Sequence, residues 1–191
     1  MSTPFEKPPM DPDTDEATQR QLDLARAQGD AYAEAVQYMA TEVADDGGQK
    51  PAGDYIVAYA VEKAEGMYAW QDGGLVWQEP EAENAHIEIT VLDGSDKRFV
   101  PGLTVAVTVI APDGTLVGTN EQPMLWHPMI YHYGRNWEIP DSGTYTLRVH
   151  VDAPEFGRHD SKNGKRYAKP VDVTFEGVSI ETGQKRTTPS G

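Results

Sequence analysis

Apolar and polar residues alternate through the stretch NAHIEITVL, residues 84–92. Side chains two positions apart in a β-strand lie on the same face. The stretch therefore predicts a strand with Ile87, Ile89 and Val91 on one face and with His86, Glu88 and Thr90 on the other. The same alternation recurs farther along the chain, at residues 55–61, 103–109, 145–151 and 171–175. Strands joined by turns without intervening helices are typical of an antiparallel sandwich or barrel.

A tyrosine favours the sandwich over the closed barrel. The run from Asp141 to Tyr145 reads DSGTY, which has the spacing of the tyrosine corner of immunoglobulin-like folds. Leu147 then occupies the position at which antibody domains carry a cysteine. The predicted fold is all-β: an immunoglobulin-like antiparallel β-sandwich with an N-terminal helical extension.

The chain before residue 51 has a different pattern. A Pro-rich arm over residues 1–12 is expected to be disordered, and apolar residues at heptad-like spacing predict a helix from Asp13 to about Asp45. Glu16 gives Asp13 a capping-box spacing, and Gly29 is a point at which the helix could divide into two. Such a helix is expected to pack on the domain or on a partner. The predicted regions are 1–50 (arm and helical extension), 51–181 (immunoglobulin-like domain) and 182–191 (polar, frayed tail).

The composition excludes several functions. Of 191 residues, 31 are acidic and 16 basic, for a net charge of −15, which repels phosphates and argues against nucleic-acid binding. There is no cysteine, so disulfides and thiolate metal sites are excluded. No apolar run approaches 18 residues, so no membrane span is predicted. The acidity is either a high-salt adaptation or an ordinary solubility feature; scarce lysines and scattered acids favour the halophilic interpretation.

The five histidines are the candidates for chemistry. None lies in a zincin or zinc-finger pattern, and neither a phosphate-binding loop nor an acid/base pair is apparent, so we do not expect an enzyme. His86 and Glu88 on one strand face make half of a metal site. The segment 124–134 reads as a long connection, which either packs as a loop or presents ligands. His150 is expected to be exposed on an outer face.

Several motifs in order resemble a known family. They are Gly66-Met67, the HIE of residues 86–88, Pro123-Met124, the HYG of residues 132–134 and the GRH of residues 157–159. They are similar to motifs of the periplasmic iron-transport family, copper- and iron-binding proteins that accompany iron permeases, over about residues 55–176. Between Met124 and His132 this chain is slightly longer than the family pattern and adds His127. The resemblance implies an immunoglobulin-like sandwich and a copper site with the ligands His86, Glu88, Met124, His132 and His159; secondary candidates are His127 and Met67.

The resemblance also implies a function and partners. It predicts a protein that binds copper, or alternatively iron, and supports iron uptake at the cell envelope together with an iron permease or another envelope partner. It implies a homodimer and a periplasmic or extracellular location; residues 1–5 lack the features of a signal peptide, so a cytoplasmic location stays open. The alternative is a surface interaction module without a metal. Convergence of the histidines would distinguish the two.

Overall fold

The computed structural model describes residues 13–186. Helix α1 (Gln19–Tyr38) continues into a π-helical turn (Met39–Val43). Within the described residues the strands that follow are β1 (Asp46–Ala52), β2 (Tyr55–Glu62), β3 (Ala64–Glu65), β4 (Met67–Gln71), β5 (Gly74–Gln78), β6 (Ala85–Asp93), β7 (Val105–Ile110), β8 (Leu116–Glu121), β9 (Met124–Trp126), β10 (Tyr131–Trp137), β11 (Gly143–Val151), β12 (Val171–Ile180) and β13 (Gln184–Lys185).

Two antiparallel sheets form the body of the protein. One has the strand order β1-β2-β6-β10-β9 and the other β12-β11-β7-β8. Their inner faces meet in a core that contains Ile87, Ile89, Val107, Leu147 and Phe175. The hairpin β4–β5 and the parallel pair β3–β13 stand apart from these sheets. The predicted class, an antiparallel β-sandwich with an N-terminal helix, is confirmed.

The tyrosine corner forms as its spacing predicts. The hydroxyl of Tyr145 donates a hydrogen bond to the backbone oxygen of Asp141 at 2.7 Å. Tyr145 is buried and Leu147 is fully buried in the core beside it. The bond secures the start of β11 against the preceding turn, as in immunoglobulin-like sandwiches.

Helix α1 lies on the outer face of the five-stranded sheet. Val36 and Met39 pack there against Ala58, Ala60 and Ile130 in a second apolar cluster. This contact explains why the sheet is buried on both faces where the helix covers it. Within the described residues, no helix is both long and apolar enough to cross a bilayer.

The predicted start of the helix was wrong, and so was its division. Thr18 is the N-cap and forms a capping box with Gln21, so the helix begins five residues later than the Asp13–Glu16 spacing suggested. Threonine followed three residues later by glutamine is itself a capping-box sequence. The helix runs unbroken through Gly29. A Cβ at Gly29 would lie 1.6 Å from the backbone oxygen of Asp96, so glycine serves close packing there.

The region boundaries also shift. The first strand begins at Asp46, inside the region assigned to the extension, and it pairs with β2 along its whole length. At the other end, β13 pairs with β3, so residues 184–185 belong to the ordered part of the predicted tail. Residues 1–12, predicted to be a disordered arm, and residues 187–191 of the tail lie outside the described residues.

The segment 124–134 is a hairpin and not a long connection. Strands β9 and β10 are antiparallel, and the backbone N–H of His127 donates to the oxygen of Ile130 at 3.1 Å across a two-residue turn. Pro128 and the adjacent aromatic residues obscure the period of two, which explains why the sequence pattern did not reveal these strands. The difference matters because a strand holds His132 more rigidly than a loop would.

Candidate metal centre

Two neighbouring strands bring His86, Glu88 and His132 together. The register pairs Gly134 of β10 with Glu88 of β6, and Asn136 with His86. His132 lies two residues before Gly134, so its side chain is on the same outer face of the sheet. All three side chains are almost fully buried: their residues are exposed by 0%, 2% and 3% in the order His86, Glu88, His132. The polar face of β6 therefore exists as predicted, but it is not a solvent-exposed face.

The distances between the polar atoms suit an ion better than direct bonds. Oε1 of Glu88 lies 3.6 Å from Nε2 of His132 and 3.8 Å from Nε2 of His86, too far for hydrogen bonds. One ligand atom from each residue lies within 4.8 Å of the others. A tetrahedral metal with bonds of about 2.0–2.2 Å separates its ligand atoms by about 3.3 Å. Small side-chain adjustments would close this cluster around one ion.

The polar atoms of the cluster lack partners. Among residues 13–186, Nε2 of His86, Oε2 of Glu88 and both ring nitrogens of His132 are buried without a hydrogen bond. A buried polar atom without a partner is costly, and folded proteins rarely tolerate several in one place. Nε2 of His86, the carboxyl of Glu88 and one of the two nitrogens of His132 therefore offer lone pairs that a metal ion could bind.

Burial keeps the three residues uncharged near neutral pH. It lowers the pKa of His132 to about 3 and also lowers the pKa of His86. It raises the pKa of Glu88 to about 8. The contacts between Glu88 and the histidines are therefore not ion pairs in the metal-free protein. Neutral imidazole is the form that binds metals.

Asn136 orients His86. Its side-chain N–H donates to the backbone oxygen of Glu65 at 2.8 Å, which leaves its oxygen 2.9 Å from Nδ1 of His86. Nδ1 must then carry the proton and donate it to Asn136, so the lone pair is on Nε2, the nitrogen that faces Glu88. Such outer hydrogen bonds commonly fix the tautomer of a metal-binding histidine.

Gly134 keeps open the space that these nitrogens face. A Cβ at Gly134 would lie 3.1 Å from Nε2 of His86 and 3.2 Å from Nε2 of His132. Any larger side chain would occupy the volume between the two imidazoles. The HYG motif therefore contributes a ligand and, two residues later, the gap beside it.

A group of acids adjoins the cluster. Glu62 pairs with His86 across β2 and β6, and one oxygen each of Glu62, Glu65 and Glu88 lies within 4.8 Å of the others. Lys185 of β13 places its ammonium 2.6 Å from Glu62 and 3.8 Å from Glu65. The sequence motifs did not indicate these residues. Strand parity through Ala58, Ala60 and Glu62 could have identified Glu62, but the contribution of Lys185 depends on pairing between distant parts of the chain.

The structure separates Met124 from this cluster. Met124 pairs with Tyr133, whose side chain is in the core between the sheets. Directly paired residues point to the same side of a sheet, so Met124 faces away from His132. It is half-exposed and lines a cavity with Tyr131 and Phe156.

His159 is not brought to the cluster within one chain. It is exposed on the loop after β11, and Arg166 of the same loop bonds Asp93 at 2.8 Å. Asp93 and His86 are seven positions apart on β6, a distance of roughly 23 Å at about 3.3 Å per residue. The loop that carries His159 is thus attached at the opposite end of the strand.

The remaining candidates differ in their distance from the cluster. The ring of His127 is 6.5 Å from that of His132, measured between centroids. Met67 begins β4, two positions after Glu65. His150 lies on the outer face of the four-stranded sheet, as predicted, with its side chain partly exposed, and its ring nitrogens contact Asp172 and Asp152 at 2.8 and 3.2 Å.

Comparison with known proteins identifies the family. A sequence model described as Fe2+ transport protein matches residues 37–179, more than half of the chain. The chain therefore belongs to the Fe2+ transport protein family, as the motifs predicted. A search of curated proteins gave no significant match.

Solved structures of two bacterial proteins share the fold. FetP of uropathogenic Escherichia coli strain F11, expressed in the periplasm, is 21% identical with a TM-score of 0.54, over 70% of this chain and 97% of FetP. The copper-reconstituted P19 protein of Campylobacter jejuni is 18% identical with a TM-score of 0.59, over 72% of this chain and 96% of P19.

Proposed function

We propose that this protein binds one copper or iron ion per chain through His86, Glu88 and His132, and that it supports iron uptake at the cell envelope. The observation that carries the proposal is the set of buried ring and carboxylate atoms that lack partners among the described residues and converge on one space. Family membership and the copper-bound relatives support the choice of metal.

The donor set agrees with both metals. Two imidazoles and a carboxylate suit copper(II), and the same three groups form the facial triad that holds iron(II) in other proteins. The residues lie on adjacent strands of a buried sheet, so the site is largely formed before an ion arrives. We propose that the site binds and delivers a metal ion and does not catalyse a reaction. We propose that it acts in the periplasm or at the cell surface.

The test is a titration of metal-stripped protein with copper(II) and with iron(II) in the absence of oxygen. We expect one ion per chain, and loss of at least about tenfold in affinity in His86→Ala and His132→Ala, because even outer-shell changes cost 10–100-fold. His150→Ala is the matched control, since His150 lies on the other sheet with 43% of its side chain exposed. If the folded His132→Ala protein bound the metal as tightly as the parent, the proposal would be contradicted.

A second function is favoured by the hairpin β4–β5. Tyr68, Trp70 and Leu75 are exposed there, Trp70 by 73%. Such side chains are typical of a protein–protein contact. We propose that the hairpin contacts a second copy of the chain, which is also what ligation by His159 would require. Sedimentation of the parent and of Trp70→Ser should show a dimer that the substitution weakens; a monomeric parent at micromolar concentration would exclude it.

A further inference from the structure

The Pro123-Met124 motif suggests Met124 as a metal ligand, but β9 does not place Met124 on the outer face of the sheet, where the metal site lies. Leu125 pairs with His132 and therefore lies on the outer face, where a leucine cannot bind a metal. Met124 lies on the opposite face. The next residue of the chain with outer-face parity is His127, two positions after Leu125.

The turn of the hairpin holds His127 beside the cluster. Its backbone N–H donates to the oxygen of Ile130 at 3.1 Å, and Ile130 is buried in the apolar cluster between helix α1 and the sheet. The ring of His127 stands 6.5 Å from that of His132, a separation close to the 5.9 Å between the rings of His86 and His132. One nitrogen, Nδ1, accepts a long, exposed bond of 3.2 Å from the N–H of Met129. That lone pair is available to an ion at the expense of a weak contact.

We propose that His127, and not Met124, is the further ligand that completes the metal site. The inference rests on the proposed metal-binding function. The physical cause is the register of the hairpin: Leu125 pairs with His132 and Met124 with Tyr133, so Met124 lies on the face opposite to His132 and His127 on the same face.

An imidazole from His127 in place of a thioether from Met124 changes the metal that the site prefers. A thioether is a soft ligand that favours copper(I), whereas imidazoles and carboxylates suit copper(II), zinc and iron. With three imidazoles and one carboxylate, the site should hold copper(II) more tightly than copper(I). Selection between oxidation states would then be a property of the hairpin register.

The test compares two substitutions to leucine, His127→Leu and Met124→Leu, in the full chain. Copper(II) affinity is measured by competition with a chelator, and the nitrogen ligands are counted from the hyperfine pattern in electron paramagnetic resonance. His127→Leu should lose at least about tenfold in affinity and one nitrogen from the pattern. Met124→Leu should match the parent in both. His127→Met should raise copper(I) affinity relative to copper(II).

The outcomes are distinguishable. Loss of affinity in Met124→Leu, or an unchanged nitrogen pattern in His127→Leu, would overturn the role of His127. The proposed metal site would still stand if His86→Ala weakened binding. A parent protein that binds no copper would overturn both proposals. Thermal melts of each variant check that a loss of binding is not a loss of fold.

Discussion

Strand β6 buries two carboxylates, Glu88 in its middle and Asp93 at its end, and their surroundings differ. Asp93 accepts hydrogen bonds from the backbone and hydroxyl of Ser95 at 2.6 and 2.5 Å, from Arg166 at 2.8 Å and from the hydroxyl of Tyr167. Oε2 of Glu88 accepts none from the described residues. Burial alone raises the pKa of both; for Asp93 the hydrogen bonds and Arg166 outweigh it, and the net pKa is lowered.

The difference separates a structural carboxylate from a functional one. The Asp93 end of the strand has its polar groups matched by the chain itself, and this joins β6 to the loop of residues 154–167. The Glu88 region leaves its polar groups unmatched, a cost that proteins normally carry where a ligand binds. Both residues are buried acids on one strand, so burial does not distinguish them; hydrogen-bond satisfaction does.

The largest expected effect is on stability, at Asp93. Asp93→Ala removes a buried carboxylate and leaves the partly buried Arg166 without its partner, and it should cost about 3 kcal/mol in the free energy of unfolding. Asp172→Ala is the control: its ion pair with His150 is exposed and worth less than about 1 kcal/mol. Urea unfolding of both variants measures the difference. Similar small losses in the two would mean that the Asp93 network is not structural.

A second substitution tests the helix that packs near this end. By helix propensity alone, Gly29→Ala should stabilise α1 by about 0.5–1 kcal/mol. Because a Cβ there would meet the backbone oxygen of Asp96 at 1.6 Å, we expect a loss of about 3 kcal/mol instead, the upper end of overpacking costs. Ala27→Gly, at an exposed position of the same helix, should cost at most about 1 kcal/mol. A stabilised Gly29→Ala protein would contradict the close contact.

The sign of the pH dependence should differ between the two carboxylates. The raised pKa of Glu88, about 8, means that its contribution to stability is present below the unfolded pKa of about 4.3 and is lost as pH rises through 8. The lowered pKa of Asp93 has the opposite effect: its contribution is present above about 3.9 and is lost as pH falls.

Glu88→Gln removes the pH-dependent contribution of Glu88 to stability. In metal-free protein with chelator, the variant should gain about 1–3 kcal/mol on the parent between pH 5 and pH 8, since a neutral amide avoids the buried charge. Urea unfolding at both pH values measures it. A gap between variant and parent that is the same at pH 5 and pH 8 would show that Glu88 ionises freely in the folded protein.

Local patterns predicted one half of the site, and the other half required pairing between strands. The period of two placed His86 and Glu88 on one face because parity is a property of a single strand. Gly134 and Asn136 act through their register with β6, which no local pattern contains. Met124 shows the limit most clearly: its motif matches the family, yet its face depends on the length of the turn that follows.

The fold followed similar rules. Alternation identified β2, β6, β7, β11 and β12, whose inner faces form the core. It could not show that α1 covers the outer face of the sheet, because a strand buried on both sides can retain a polar face. The alternation placed His86 on the correct face, but it could not show that this face is buried. The tail residue Lys185 was missed because its pairing with Glu62 joins the two ends of the domain.

The smallest expected effect concerns the acidic surface, whose charge acts on the Glu88 and Asp93 regions alike. With a net charge of −15, self-repulsion opposes folding most at low salt, because the Debye length is about 30 Å at 0.01 M and about 3 Å at 1 M. If the acidity is a high-salt adaptation, the melting temperature should rise between these concentrations of potassium chloride by about 2–4 °C, equivalent to about 1 kcal/mol. Exposed pairs such as Lys97–Asp30 weaken over the same range and oppose the rise.

A parallel series in sucrose separates charge screening from solute exclusion. A flat midpoint in salt would make the charge an ordinary solubility feature, and Glu88 and Asp93 would then differ through their local contacts alone.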